Sequence, residues 1–325
     1  MKTFSTQPCC ATIRRQLEQI ARTRTADFAG SRTRHMKRIV TACLSLLLAL
    51  STPMVEAADT SPQRIKVTPR QHTLTSHLNG QRYVLSVSLP PDYERDIGHA
   101  YPVLYVLDGQ AQFTRVVGRY LNLYYQGRMP ALILVGISWQ ADADSEAWLA
   151  DGEQPDFSAQ RARDFSPFPT PGQADSGRAA LFLNVLRTEI LPAIEIQYRT
   201  ASGQRALYGH DQGGLFGYYA LFQSAGLFNQ YLLTAPALVN ATLALTLEGQ
   251  YAGQSADLPA RLFIATPDSE QVLRQQITEK LASRHYPHLT LQGESAEGDA
   301  ALDHGLGYLF TPESLDGQRQ ASKLR

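Results

Sequence analysis

The fold of this chain is decided by Leu207-Tyr208-Gly209-His210-Asp211-Gln212-Gly213-Gly214. Glycines stand two residues before and two residues after a central position, which is the G-x-S-x-G spacing of a nucleophile elbow, a sharp strand-to-helix turn that lifts one side chain into a cleft. The central residue here is Asp211, where the motif carries serine. The stretch therefore predicts a strand, a tight turn and a helix, and it leaves open what the central side chain does.

The N-terminal part of the chain carries the pattern of an export signal. Met36-Lys37-Arg38 is basic, residues 39–50 are almost wholly apolar, and Val55-Glu56-Ala57 places small residues at the spacing that a signal peptidase reads. An apolar run of about 12 residues is too short to span a bilayer, which needs about 20. We therefore expect a signal peptide at about 36–57, and a mature chain that is periplasmic or secreted and has no membrane span.

The segment before that signal, residues 1–35, is rich in Arg and Thr and lacks a periodic apolar pattern. We interpret it as an upstream extension from a misassigned start; the alternative is a basic arm for an acidic partner. Residues 58–325 contain 21 Lys and Arg against 27 Asp and Glu, a formal net charge of −6. This balance, with no basic stripe, argues against a nucleic-acid binder.

Cysteine and histidine usage narrows the chemistry further. All three cysteines, Cys9, Cys10 and Cys43, lie in the part that the signal would remove, so the mature chain has no disulfide and no thiol nucleophile. Its histidines lack the spacing of a zinc site, and no glycine-rich phosphate loop is present. We expect no metal and no cofactor. Residues 58–325 are long enough for one domain with a single large core.

Strand and helix patterns alternate along this domain. Runs 71–77 and 82–89 meet at Asn79-Gly80, a strong hairpin signal. Runs of buried-strand character follow at 101–107, 131–137, 207–208, 231–234, 262–265 and 288–291. Helical patterns lie between them at 111–125, 179–197, 213–223, 269–283 and 300–309. The alternation predicts an α/β fold with a mixed, mostly parallel sheet flanked by helices and an antiparallel N-terminal hairpin.

One segment interrupts the alternation. Residues 139–177 are rich in Asp, Ala, Ser and Pro and follow a predicted buried strand. A loop this long in a compact domain is usually functional or disordered, and it lies at the sheet edge where α/β proteins bind ligands. We predict a lid or gating loop; the alternatives are a solvated insertion or a surface for a protein partner.

Four stretches occur together in chain order. Tyr101-Pro102-Val103-Leu104-Tyr105-Val106-Leu107-Asp108-Gly109 comes first, then Arg163-Asp164-Phe165-Ser166-Pro167, then the elbow, and finally Gly305-Leu306-Gly307-Tyr308-Leu309-Phe310. In combination, over about residues 70–311, they resemble the putative-esterase family of α/β hydrolases. That family includes siderophore (enterobactin-type) esterases and relatives of S-formylglutathione hydrolase. The resemblance implies an α/β-hydrolase fold.

The resemblance also implies roles for single residues. A serine at the Asp211 position would attack an ester carbonyl, a histidine would take its proton, and an acid would orient the histidine. Backbone N–H groups at Gln212 and near Gly109 would hold the developing oxyanion. The acid would follow the strand at 262–265, where Asp268 and Glu270 stand, and Glu270 fits the family spacing slightly better.

The sequence departs from this pattern at two places. Asp211 has no hydroxyl group, so it is either a carboxylate nucleophile of the kind that forms an alkyl–enzyme ester, or an inert residue that binds something or complements the helix dipole. The family's histidine is expected after the last strand, where Gly293-Glu294-Ser295-Ala296 places alanine instead. His304 follows eight residues later and is the remaining candidate base, although a surface histidine explains it as well.

Three hypotheses follow for the function. The leading one is an exported esterase-family protein with a degraded triad, which has lost ordinary ester hydrolysis and binds an ester or siderophore-like small molecule. The alternatives are an active hydrolase with Asp211 as the nucleophile and a periplasmic interaction protein. Arg163 and Trp139 are candidate ligand contacts, the latter as part of an aromatic set that also contains Tyr124, Tyr125, Trp148, Phe165 and Phe168. The oligomeric state is not predicted.

Overall fold

The structure is a computed structural model that describes residues 69–141, 155–238 and 241–310. The predicted upstream extension and signal peptide, residues 1–57, lie outside these ranges. So do Trp148 and most of the first half of the predicted loop. Within the described ranges, no helix combines the length and the hydropathy that a membrane crossing requires.

Eight strands of the described ranges form one sheet in the order β1-β2-β4-β3-β5-β6-β7-β8. Their bounds are β1 Arg70–Thr75, β2 Arg82–Ser88, β3 Tyr101–Val106, β4 Ile133–Trp139, β5 Thr200–His210, β6 Gln230–Thr234, β7 Ala260–Thr266 and β8 Leu289–Ser295. β1 pairs antiparallel with β2, and β2 antiparallel with β4. The remaining pairs are parallel. The predicted mixed sheet with an antiparallel front hairpin is confirmed.

The strand patterns follow from the position of each strand in the sheet. β3, β4 and β6 are buried at every residue, because helices cover both faces of a parallel sheet and leave no side for polar residues. The hairpin between β1 and β2 turns at Gly80, whose φ of +70° favours glycine. The edge strand β1 is largely exposed. The runs at 101–107, 131–137, 207–208, 231–234 and 262–265 therefore mark interior strands. The prediction of a buried strand at 288–291 is wrong, because β8 is the other edge strand and none of its residues is fully buried.

Seven helices of the described ranges flank the sheet. They are α1 Gly109–Tyr125, α2 Ser158–Phe165, α3 (Ala179–Val185, π-helical Leu186–Ile190 and Leu191–Gln197), α4 Gln212–Gln223, α5 Ala241–Ala252, α6 Gln271–Ser283 and α7 Gly298–Leu309. The π-helical turn ends two residues before Pro192, which has no N–H group and whose ring would clash with the carbonyl four residues earlier in a regular α-helix. α2 and α5 were not predicted: the segment 139–177 contains a helix where the sequence indicated a loop.

The core has two halves, one on each face of the sheet. Alternate residues of β3 point to opposite faces, so Tyr105 belongs to the half of the core that contains residues of α3, α4 and α6, and Leu104 and Val106 belong to the half that contains residues of α1 and α7. The carboxyl ends of the parallel strands form one edge between these halves. In open α/β sheets that edge is where ligands bind, and β5 delivers Asp211 there.

Candidate functional site

The predicted elbow is present in the structure. β5 ends at His210 and α4 begins at Gln212, and Asp211 between them has φ 53° and ψ −117°. This backbone conformation is rare for a residue with a side chain and costs on the order of 1–3 kcal/mol. A Cβ atom on Gly209 would lie 2.1 Å from the carbonyl oxygen of Gly213. The turn is therefore closed so tightly that only glycine fits at this flank.

A second helix begins beside the elbow. Asp108 precedes α1 with φ 52° and ψ 45°, and its Oδ2 lies 3.3 Å from where a Cβ atom on Gly213 would stand. The first N–H groups of a helix have no partner within the helix. Gly109 begins α1 and Gln212 begins α4, so both predicted oxyanion donors occupy positions with such N–H groups. Their role stays a prediction.

Arg161, on α2, joins the two helix N-termini. Its Nε donates to Asp108 Oδ1 at 3.0 Å, and its Nη2 donates to Asp211 Oδ2 at 3.0 Å. The exposed fraction of the side chain rises across the three residues, from 6% for Asp108 to 25% for Arg161 and 47% for Asp211. We call these three residues the clamp. Asp211 makes no side-chain capping hydrogen bond to α4, so its carboxylate serves the clamp and does not cap the helix.

Burial sets the ionisation of the inner carboxyl of the clamp. It raises the pKa of Asp108 to about 6, although the Arg161 guanidinium opposes this rise and the negative charge of Asp211 adds to it. A charged group taken out of water loses hydration that one ion pair restores only in part. Asp108 therefore changes its charge in mildly acidic solution, at a position in direct contact with Arg161.

None of the seven histidines in the described ranges forms a hydrogen bond with Asp211, and these are all the histidines of residues 58–325. His210 is the neighbour in sequence, but its Nδ1 is 3.0 Å from Thr234 Oγ1, and burial lowers its pKa. His304 lies on α7 with its Nδ1 2.6 Å from Glu294 Oε1. The proposed role of His304 as the base stays a prediction, and the structure places this histidine with Glu294.

The acid candidates Asp268 and Glu270 follow the end of β7, and Asp268 lies beside the end of β8. Asp268 accepts a hydrogen bond from the Ser295 hydroxyl, while the buried Oε2 of Glu270 has no hydrogen-bond partner among the residues that the structure describes. Ala296 donates its backbone N–H to the Thr266 carbonyl at 3.2 Å, and its side chain packs with the α1–α7 half of the core. A serine hydroxyl thus contacts one acid candidate. The predicted role of Asp268 or Glu270 as the acid that orients a histidine stays a prediction.

Arg163 and Trp139 meet at the carboxylate of Asp164, which is almost fully buried. Arg163 donates from Nε and Nη2 at 2.8 and 2.9 Å, and the Trp139 indole N–H donates at 2.7 Å. The Tyr83 hydroxyl donates to the same carboxylate. These contacts fasten α2 to β2 and β4. Ligand binding by Arg163 or Trp139 stays a prediction.

Sequence reasoning missed Arg161, the residue that contacts the elbow. The family-like stretch begins two positions later, at Arg163, which is the residue that the sequence predicts as a ligand contact. Within the described ranges, no group of three or more His, Cys, Asp or Glu side chains is arranged to hold a metal ion. Chemically, the site combines helix N-termini, one guanidinium and two carboxylates.

Comparisons with known proteins agree on the type of fold. The family model described as Putative esterase matches residues 76–301. A siderophore triacetylfusarinine C esterase of Aspergillus fumigatus is 26% identical over 163 residues, which cover 49% of this chain and 52% of that protein. A ferri-bacillibactin esterase, BesA, of Bacillus subtilis is 27% identical over 173 residues, which cover 51% and 57%. The chain thus spans about half the length of the curated relatives it matches.

Solved structures give the same result over a larger part of the chain. A BES protein from Bacillus cereus superposes with a TM-score of 0.62 at 23% identity, covering 77% of this chain and 97% of that one. An IroE-like serine hydrolase from Shewanella oneidensis has a TM-score of 0.62 at 25% identity, with coverage of 74% and 80%. At 23% identity, the likeness to the Bacillus cereus protein bears on the fold alone.

Proposed function

Because the chain belongs to the Putative esterase family, we propose that it is an exported protein of this hydrolase fold that has lost ordinary esterase activity and binds an ester or siderophore-like ligand in the inherited cleft. Export rests on the basic and apolar pattern at 36–57. The ligand class rests on relatives named for siderophore ester substrates.

The observation that carries the proposal is the bonding of the elbow side chain. Asp211 has no hydroxyl proton to give up, and one of its oxygens is held by Arg161. No histidine of the described ranges bonds to it. Members of a catalytic triad act as a unit, and loss of the nucleophile or the base costs several orders of magnitude in rate. Here both the serine and its histidine partner are missing from their expected positions.

The first test is the hydrolysis of p-nitrophenyl acetate by the purified chain 58–325. We expect no turnover above the rate of the Asp211→Ala variant. Turnover at rates typical of esterases by the unmodified chain, abolished in Asp211→Ala, would contradict the proposal.

The second test repairs the site. Asp211→Ser restores the hydroxyl, and Ala296→His places imidazole at the predicted position. Ser295→His is a rival repair, because Ser295 is the residue that already contacts Asp268. A matched control is Asp211→Ser with Gln292→His, at an exposed position of β8 three residues before Ser295. Recovery in one repair and not in the control would show that the inherited cleft still binds and orients an ester.

A second candidate function keeps Asp211 as a nucleophile. It is favoured by the partial exposure of Asp211, whose Oδ1 makes no hydrogen bond with the described residues. An alkyl–enzyme ester would be broken by water attacking the carboxyl carbon. Turnover in ¹⁸O-labelled water would then leave the label in Asp211, detectable by mass spectrometry of the peptide. An unlabelled peptide after many turnovers would exclude this chemistry.

A further inference from the structure

The sheet has an unpaired edge at β8, three strands away from the elbow strand β5. Among the described strands, β8 pairs with β7 alone, and its seven residues keep one unbroken register with that strand. No bulge therefore bends this edge. A flat edge presents a row of N–H and C=O groups that another strand can pair with, and proteins usually protect such edges with charged residues, Pro or a bulge.

The sequence of β8 carries little of this protection. Leu289-Thr290-Leu291-Gln292-Gly293-Glu294-Ser295 contains no Lys, Arg or Pro. Its one charged residue, Glu294, is paired with His304 on α7. The opposite edge strand differs, because β1 begins with Arg70 directly after Pro69. Of the two edges, β8 is therefore the one whose residues favour pairing with another strand.

An apolar groove runs beside the same edge. It has a volume of about 450 Å³ and lies between α6 and β8, and its lining includes Leu281, Ala282, Tyr286, Leu289 and Leu291. Successive side chains of a strand point to opposite faces. Leu289 and Leu291 therefore face α6, whereas Glu294 faces α7, where it contacts His304. A strand added to β8 would extend the apolar row beside α6.

We propose that β8 is a homodimer interface, at which the β8 strands of two copies of this chain pair antiparallel about a twofold axis at Gln292. Gln292 is the middle residue of β8, so this register pairs the two strands over their full length. The inference goes beyond the proposed function, and it does not depend on what Asp211 does.

The backbone of β8 is oriented for this pairing. At the two ends of the strand, the carbonyl of His288 accepts from Ala260 and the N–H of Ala296 donates to Thr266 on β7. In a parallel ladder, the residues that bond to one neighbour alternate with those that face away from it. The residues that face the open edge are therefore Leu289, Leu291, Gly293 and Ser295. In the twofold register these four residues lie opposite one another, as antiparallel hydrogen bonding requires.

The same register also matches the side chains. Leu291 lies opposite Gly293 of the second copy, and Leu289 lies opposite Ser295, so each leucine meets a small residue on the α6 face. On the α7 face, Thr290 lies opposite Glu294, and Gln292 lies opposite its own copy. No two like charges meet, and opposed like charges are what destabilise an antiparallel pair. This match of size and charge in a single register favours a second copy over an unrelated partner.

The first experiment measures the mass of the chain 58–325, which contains every residue that the structure describes, by sedimentation equilibrium at several concentrations. We expect a dimer. Gln292→Lys places two lysines face to face in that dimer and should raise its dissociation constant by about tenfold or more, and Gln292→Glu should do the same. An equimolar mixture of the two variants should recover the dimer, because lysine then faces glutamate.

Thr290→Lys is the matched control. Thr290 and Gln292 are both exposed and lie on the same face of β8, two residues apart. In the proposed register the new lysine faces Glu294 of the second copy, so Thr290→Lys should leave the dimer intact. The same change of charge thus has opposite outcomes at two neighbouring positions.

The second experiment traps the register. All three cysteines lie outside residues 58–325, so Gln292→Cys carries the one thiol of that chain. Directly opposed residues of an antiparallel pair have Cβ atoms about 4.5–5.5 Å apart, which is close to the separation that a disulfide spans. Mild oxidation should therefore cross-link most of Gln292→Cys into a covalent dimer, and little of Thr290→Cys, whose thiols are not opposed.

Two results would overturn the proposal. One is a chain 58–325 that stays monomeric at every concentration, whether β8 is then covered by residues 311–325 or by another protein. The other is a dimer that Gln292→Lys and Thr290→Lys weaken equally, which would mean a different surface or register. If circular dichroism shows that Gln292→Lys does not fold, the cross-linking of Gln292→Cys against Thr290→Cys decides in its place.

Discussion

The clamp makes a quantitative prediction for Arg161→Gln at neutral and alkaline pH. Asp108 keeps only 6% of its side chain exposed, and a buried charge left without its partner costs about 3–5 kcal/mol if it stays ionised. Proton uptake limits this cost to the low end of that range, because loss of the opposing guanidinium raises the pKa of Asp108 further and favours the neutral carboxyl. The half-exposed contact with Asp211 adds about 0.2–1 kcal/mol. We expect the free energy of unfolding to fall by about 3 kcal/mol at pH 8.

The sign of the pH dependence follows from the raised pKa. The carboxyl titrates near 3.9 in the unfolded chain and near 6 in the folded chain, so its stabilising effect is full below about pH 4 and is lost as the pH rises through 6. Near pH 5 Asp108 is mostly protonated with or without Arg161. Only the Asp211 contact then separates the two proteins, and the cost of Arg161→Gln shrinks to about 1 kcal/mol or less.

Urea unfolding at pH 5, 6, 7 and 8, followed by circular dichroism, measures this cost. Arg178→Gln is the matched control, because its ion pair with Asp175 is exposed on both sides. The control should change the free energy of unfolding by less than about 0.5 kcal/mol at every pH. A cost of Arg161→Gln that is the same at pH 5 and pH 8 would refute the reasoning, since it would mean that Asp108 does not titrate in contact with Arg161.

Three further predictions concern packing and buried charge, and urea midpoints test each of them. Gly305→Ala should lower the free energy of unfolding by about 1–3 kcal/mol, because the new Cβ would lie 2.0 Å from Leu232 Cδ1. Gly307→Ala is the control on the same helix: its Cβ would have no atom within 4 Å, so the change should raise the free energy of unfolding by about 0.5–1 kcal/mol. Equal effects of the two changes would contradict this. Asp164→Asn should cost about 3–5 kcal/mol, because four donors lose a buried anion. Glu248→Gln should cost less, about 1–3 kcal/mol, since its arginine partner is one-third exposed; the opposite order of these two would show that burial does not govern them.

The sheet could be predicted because its signal is local. Each interior strand is a short apolar run, and the glycine at 80 marks the hairpin. Helix α2 could not be predicted in the same way. Its eight residues bury only Ala162, Asp164 and Phe165, too few for a helical periodicity, and one of the three is charged. α5 was missed as well, and its apolar residues are not confined to one face.

The site likewise has one part that could be predicted from the sequence and one part that could not. The elbow was predictable, because glycines at fixed spacing have no other structural reason to occur there. The clamp was not, because its members are 53 and 50 residues apart in the chain, and no local pattern joins them. Arg163 was predicted as a ligand contact because it opens the family-like stretch Arg163-Asp164-Phe165-Ser166-Pro167. On a helix, side chains two positions apart point in nearly opposite directions, so Arg161 faces the elbow while Arg163 faces Asp164.

The two interpretations of Asp211 differ in what they require of the residues around it. As an inert residue, it contributes an ion pair with Arg161 where serine could offer only a neutral hydroxyl, and the elbow becomes a point of attachment for α2. As a nucleophile, it would form an ester whose hydrolysis needs an activated water, and no histidine of the described ranges is bonded to it. The remaining ionisable group of the clamp that could act as a base is Asp108, which is buried and already bound to Arg161. A covalent ester would therefore accumulate before it turned over, and that accumulation distinguishes a slow carboxylate catalyst from a binding protein.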